Sequence, residues 1–177
     1  YIDFSQTNTT TGNWNNVTAT TLSQTGMTVN LINDQGANTG ATLTVTDSFN
    51  LVNEAGTTAP NPSLPFPSSA TRDSFFGNDV SFSGAIEPTG GFEITGLDPA
   101  KFYSFKVFAS RTGVSDNREA LYTVVGASTL TGTLNASNNT SDAVNIYNIH
   151  PDSTGKITFT AQKGPNNNNA SGFYYLG

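Results

Sequence analysis

Two of the three arginines in the chain, Arg111 and Arg118, stand in one polar stretch, Ser110-Arg111-Thr112-Gly113-Val114-Ser115-Asp116-Asn117-Arg118. A guanidinium is a rigid fork of donors suited to carboxylates, sulfates and hydroxyl pairs. The third arginine sits in a second stretch, Thr71-Arg72-Asp73-Ser74-Phe75-Phe76-Gly77-Asn78, where a charge pair precedes two adjacent rings. In an extended chain neighbouring side chains leave opposite faces, so Phe75 and Phe76 cannot both point inward. A third stretch, Gly164-Pro165 with Asn166 to Asn169, leads into Gly172-Phe173-Tyr174-Tyr175. Rings that stack on C–H faces, with polar groups that fix hydroxyls, are the two devices of a sugar site. The candidate ligand-binding residues are therefore Trp14, Arg72, Asp73, Phe75, Phe76, Arg111, Asp116, Asn117, Arg118, Asn166 and Asn167.

Each candidate also has a structural role open to it. The arginines can pair with Asp73, Asp116 or Glu119 and pin a hairpin. One of the two phenylalanines can plug the core beneath a loop. Trp14, in Gly12-Asn13-Trp14-Asn15-Asn16, is either an exposed stacking platform or the residue that closes the base of the fold. The asparagine tract reads first as a solvated loop.

Catalytic constellations are missing from the pattern. The single histidine, His150, ends an apolar segment before Pro151 and has no nucleophile at a recognisable spacing. Arg72-Asp73-Ser74 lacks the glycine of Gly-Asp-Ser esterases, and no Asp-x-x-His follows it. Glycoside hydrolysis needs two facing carboxylates. The four glutamates and nine aspartates do not form the Glu-x-Asp-x-x-Glu strand motif of sandwich endoglucanases, and Glu93 alternates with Phe92 and Ile94 as a solvent-facing residue would. We expect no enzyme activity.

The positioning elements follow from composition and period. Of 177 residues, about 46% are Thr, Asn, Ser or Gly, while only 11% are charged and none is Cys. Bundles and coiled coils need the Ala, Glu, Lys and Leu that are scarce here, whereas 12 Phe and 6 Tyr suffice for a core. A net charge of −6 argues against nucleic acid. No apolar run reaches the length of a membrane helix. Without cysteine there is no disulfide, and zinc has almost no ligands. Loop Asp and Asn oxygens offer at most a structural Ca²⁺ site. The composition is one often found in extracellular bacterial proteins, and Tyr1 opens directly on a strand-like segment, so any signal peptide is expected either to have been removed or to lie outside this sequence.

Period-two stretches bounded by Gly, Pro, Asn or Asp predict strands at Tyr1–Phe4, Met27–Ile32, Thr42–Thr46, Gly91–Leu97, Tyr103–Ala109, Ala120–Val125, Thr129–Leu134, Val144–Ile149, Lys156–Ala161 and Phe173–Leu176. Four prolines (Pro60, Pro62, Pro65, Pro67) make residues 50–80 read as one long ordered loop. The expectation is a single all-β domain over residues 1–177, a two-sheet antiparallel sandwich.

The order of motifs in the second half carries a resemblance. It runs Ile94-Thr95-Gly96-Leu97-Asp98-Pro99, Tyr103–Ala109 with Ser110-Arg111, Arg118, Tyr122-Thr123-Val124 with Gly126, Asn138-Asn139, Pro151-Asp152 with Gly155-Lys156-Ile157, then Gly172-Phe173-Tyr174-Tyr175-Leu176. This resembles the galactose-binding-like, malectin-like jelly-roll sandwich of carbohydrate-binding modules. It is similar in particular to accessory domains of secreted polysaccharide-degrading enzymes from marine Bacteroidetes. The resemblance covers most of 80–177 and the opening Tyr1–Phe4. It implies first and last strands sharing a sheet, a last strand running on past Gly177, and a ligand loop at one end containing Arg111, Asp116, Asn117 and Arg118. The 50–80 segment has no counterpart in it. The expected function is non-catalytic: a secreted or cell-surface module, monomeric by itself, that tethers a larger enzyme to an algal galactan or anionic glycan. The alternatives are a structural or adhesion sandwich whose loops only brace the fold, and a lyase or hydrolase domain.

Overall fold

The computed structural model describes residues 1–18 and 25–177. Its strands are β1 (Ile2–Ser5), β2 (Asn15–Thr18), β3 (Thr28–Ile32), β4 (Asn38–Asp47), β5 (Leu51–Asn53), β6 (Ser74–Phe82), β7 (Ala85–Glu87), β8 (Thr89–Thr95), β9 (Tyr103–Val107), β10 (Glu119–Val125), β11 (Thr129–Asn135), β12 (Val144–Ile149), β13 (Ile157–Lys163) and β14 (Tyr174–Leu176). One helical turn, α1 (Ser68–Thr71), is the only helix among the described residues.

Six strands form one layer in the order β11-β10-β13-β8-β4-β3, antiparallel throughout. The alternation that predicts them also sets their facing. Leu43 and Val45 of β4, Tyr122 and Val124 of β10, and Ile157 and Phe159 of β13 are all buried, with threonines between them. Threonine suits such positions because its branched side chain packs on a pleated, half-wet surface. The register places Phe92 of β8 directly opposite Phe159 of β13, their rings stacked 4.9 Å apart.

The facing layer is assembled from three pieces: β14-β6-β5 with β7 folded back on β6, the antiparallel pair β9–β12, and the parallel pair β1–β2. Its inward residues close the core. Phe4 approaches Phe92 (5.6 Å), Phe105 approaches Phe159 (5.7 Å), and the Tyr122 hydroxyl donates to the Tyr175 carbonyl across the layers at 2.7 Å. The result is an all-β, two-layer molecule.

Two expectations change. Residues 50–80 are not one loop: β5 and β6 occupy both ends, and the prolines are confined to residues 54–73, which contain α1. The first and last strands, β1 and β14, do not pair with each other; β1 pairs β2 and β14 pairs β6. The missed strand β2 has its own logic. Asn15 replaces an apolar residue, donating from Nδ2 to the Tyr1 and Ile32 carbonyls and accepting the Ile32 N–H.

Candidate functional site

The chain brings three of the candidates, Arg111, Arg118 and Phe76, together at one end around Phe173 and Tyr175. The 111–118 loop is pinned by backbone bonds from Arg111 N to Ala136 O and from Asn138 N to Arg111 O. Arg118 leaves this loop with Nε on the Asp116 carboxylate (3.0 and 3.2 Å) and Nη1 on the Tyr175 hydroxyl (2.7 Å). Its guanidinium carbon lies 5.3 Å from the centre of the Phe173 ring, within cation–π range. Asn169 Nδ2 donates to the other side of Asp116, and Asn169 Oδ1 accepts the Ser171 and Phe173 N–H groups. The loop after β13 therefore locks the loop before β10.

A wall of rings continues from Phe173. Phe82 stands perpendicular to it at 4.9 Å, and Phe76 does so at 5.3 Å, with Tyr175 behind Phe76 at 6.0 Å. Phe76 is on the outer face of β6 but buried by its neighbours, whereas Phe82 is 40% exposed. Around them Leu51, Val80 and Ile86 are exposed apolar residues. The β6–β7 turn that projects Phe82 has positive φ at Ser83 (51°) and Gly84 (84°), the conformation of a tight two-residue hairpin.

Electrostatics at this end follow from those contacts. Burial alone would raise Asp116, but hydrogen bonds from Asn169 and Arg118 outweigh it and hold the carboxyl below its ordinary range. Burial raises the Tyr175 hydroxyl, opposed by the positive charges of Arg118 and Arg111. Arg111 donates from Nη1 to the Thr112 carbonyl and has no carboxylate partner among the described residues.

Asn117, Asn166 and Asn167 belong to the same end, and each makes hydrogen bonds to protein. Asn117 N–H and carbonyl both bond Asn168, and its Oδ1 accepts the Glu119 N–H. Asn166 donates to the buried Glu119 carboxylate, and Asn167 Nδ2 donates to the Glu119 and Phe173 carbonyls. The tract read as a solvated loop is a scaffold for the Phe173 turn. Phe173, Tyr175 and Asn169, which lie in the third stretch but were not named as candidates, join this cluster, as does Phe82, which the sequence did not single out.

The remaining candidates lie elsewhere. Phe75, 1% exposed, is sealed in the core against Phe4 and Phe49 and has no free ring face. Asp73 is also buried, 3.3 Å from Arg72 Nε, beneath the 54–73 segment. Trp14 stacks on Tyr1 (5.0 Å) at the rim of a separate, mostly apolar cavity of about 650 Å³. That cavity runs between β1 and β9, with Phe66, Phe105, Phe108 and Leu176 in its walls.

His150 is half-buried, its ring 3.9 Å from that of the exposed Phe102 and its Nδ1 3.2 Å from the Pro99 carbonyl. Among the described residues no three His, Cys, Asp or Glu side chains converge on one point. No helix among the described residues is long and apolar enough to cross a membrane. No protein-family model matches the chain, and no curated protein or solved structure matches it either.

Proposed function

We propose that this domain is a non-catalytic carbohydrate-binding module that tethers a secreted enzyme to a polysaccharide, with an anionic or galactan-type algal glycan as ligand. The observation that carries the reading is the Arg118–Phe173–Phe82 arrangement. A guanidinium fixed by Asp116 and Tyr175 stands at the edge of an aromatic wall whose outer ring, Phe82, is open to solvent. Arg118 Nη2 makes no hydrogen bond among the described residues and remains a charge-assisted donor for a sulfate or carboxylate. Arg111 adds a second positive charge at the same end. Phe82 supplies the flat apolar face on which a sugar ring stacks. The jelly-roll, galactose-binding-like description of the scaffold belongs to this proposal.

Affinity electrophoresis through gels containing agarose, carrageenan, alginate or laminarin tests it. The chain is expected to be retarded in at least one gel. Phe82→Ala and Arg111→Ala should abolish the retardation while the chain stays folded by circular dichroism, Phe82→Ala melting a few degrees lower because its ring packs on Phe173 and Phe76. Unretarded migration of the unsubstituted chain in every gel would reject the proposal.

A second reading has its own support. Two of the three arginines are in ion pairs, Arg72 with Asp73 and Arg118 with Asp116, and Asn167 of the asparagine tract is buried with its Nδ2 on the Glu119 and Phe173 carbonyls. A bracing role, as in a structural or adhesion sandwich, predicts no retardation but a clear loss of stability in Arg118→Ala.

A further inference from the structure

The layer opposite the six-stranded sheet is interrupted. Among the described residues β9 is hydrogen-bonded in a ladder to β12 alone and β1 to β2 alone, so each keeps one edge without a partner strand. The apolar cavity of about 650 Å³ lies at that break. The first layer contributes Phe92, Ile94 and Phe159 to its lining, the 54–73 segment contributes Phe66, and the Tyr1–Trp14 stack stands at the rim. Every residue of β9, Tyr103–Val107, lines it as well. That includes Tyr103, Phe105 and Val107, which pack on the core, and also Ser104 and Lys106, which are exposed. Successive strand residues leave opposite faces, so a wall made by all of them is made by the strand's edge.

A strand edge is a row of N–H and C=O groups that calls for a partner. Here that row borders an apolar space, and no described strand pairs with it. The electrostatics of the walls are one-sided. Among the described residues lining the cavity, Lys106 is the single one with a charged side chain, and no Asp or Glu joins it. Lys106 makes no ion pair or hydrogen bond among the described residues, unlike Lys101, Lys156 and Lys163, each of which has a carboxylate within reach. A small apolar molecule would fill the space but leave both the edge and the ammonium unanswered. An extended polypeptide answers all three.

We propose that this cavity receives an extended segment of another polypeptide, which pairs with the free edge of β9, turns alternate apolar side chains toward Phe92, Ile94 and Phe159, and sets a carboxylate beside Lys106. This is strand addition, in which backbone bonds give affinity and alternate side chains give specificity. The length of β9 sets the reach of the partner, about 17 Å of extended chain at roughly 3.3 Å per residue. The period of two sets its pattern: apolar residues at every second position and polar ones between. Charge complementarity with the unpaired Lys106 places an acidic residue among the polar ones. The inference is independent of the carbohydrate reading and shares no residue with the Arg118–Phe82 end.

Titration of the chain with the peptide acetyl-Thr-Val-Glu-Val-Thr-Val-Thr-amide tests it, read by Trp14 emission and by isothermal calorimetry. A saturable change in both signals is expected, because Trp14 stands at the cavity rim. Lys106→Glu should weaken binding about fivefold, and a peptide with lysine in place of its glutamate should recover the loss. Lys163→Glu, outside the cavity, should leave the affinity unchanged. The same peptide N-methylated at every backbone amide keeps its side chains but cannot donate, and it should not bind. Absence of heat and of any emission change with the unmodified peptide overturns the proposal. Equal binding of the N-methylated peptide does so too, since the cavity then takes apolar groups without edge pairing. Concentration-dependent dimerisation in sedimentation that excludes the peptide would place a second copy of the chain in the cavity and also overturn it. Should Lys106→Glu fail to fold, the lysine-bearing peptide must bind the unsubstituted chain about fivefold more weakly than the glutamate-bearing one.

Discussion

Arg118 does several jobs at once. It pairs with Asp116, bonds Tyr175 and covers Phe173, and a lysine ammonium cannot reach all three. Arg118→Lys is therefore expected to lower stability by about 1–2 kcal/mol in urea unfolding, although charge is conserved. Its partner gives a pH test. Asp116 titrates below the ordinary carboxylate value of 3.8, so the folded state holds fewer protons than the unfolded chain in that region. The stabilisation is complete above about pH 5, well clear of the unfolded value, and is lost as pH falls through the lower folded value. Melts between pH 2.5 and 6 should show this acid-side loss, and Asp116→Asn should remove that part of it. Sequence reasoning found these two residues because they sit in one short loop. It could not find Phe173 and Tyr175 as their neighbours, because the contact spans more than fifty residues and is created by the loop after β13.

At the scale of elements, the strands that alternation revealed most clearly, β4, β10 and β13, have one wetter face. β6 escaped because both its faces are covered: Phe75 enters the core, Phe76 lies under Phe82 and Phe173, and Gly77 meets Tyr174. A strand buried on both sides has no period to read, and the prolines upstream made the whole region look irregular. Gly77 explains itself in the same contact. A Cβ there would lie 2.0 Å from the Tyr174 hydroxyl oxygen and 2.5 Å from the Glu87 carbonyl. Gly77→Ala is expected to cost more than about 3 kcal/mol or to prevent folding, judged by circular dichroism. Gly113 has open space around it but a φ of 70°, so Gly113→Ala should cost only about 1 kcal/mol.

For the whole molecule, fold class was readable because composition and period agree: threonine-rich alternation, few charges and many rings leave only a two-layer β architecture. Layer membership was not readable, since the pairing of β14 with β6 and of β1 with β2 depends on contacts between distant segments. One bond that joins the layers is testable. Tyr122→Phe removes the donor to the Tyr175 carbonyl and strands a buried acceptor. A loss of about 1–2 kcal/mol in chemical denaturation is expected, with no change in the slope of the unfolding transition.

The placement of Trp14 has a practical consequence. As the lone indole, stacked on Tyr1 at the rim of the apolar cavity, it makes the intrinsic emission of this protein a local signal. A molecule entering that cavity should shift or quench the fluorescence. One settling on the Phe82 wall should leave the spectrum untouched, so a single cuvette can tell the two surfaces apart.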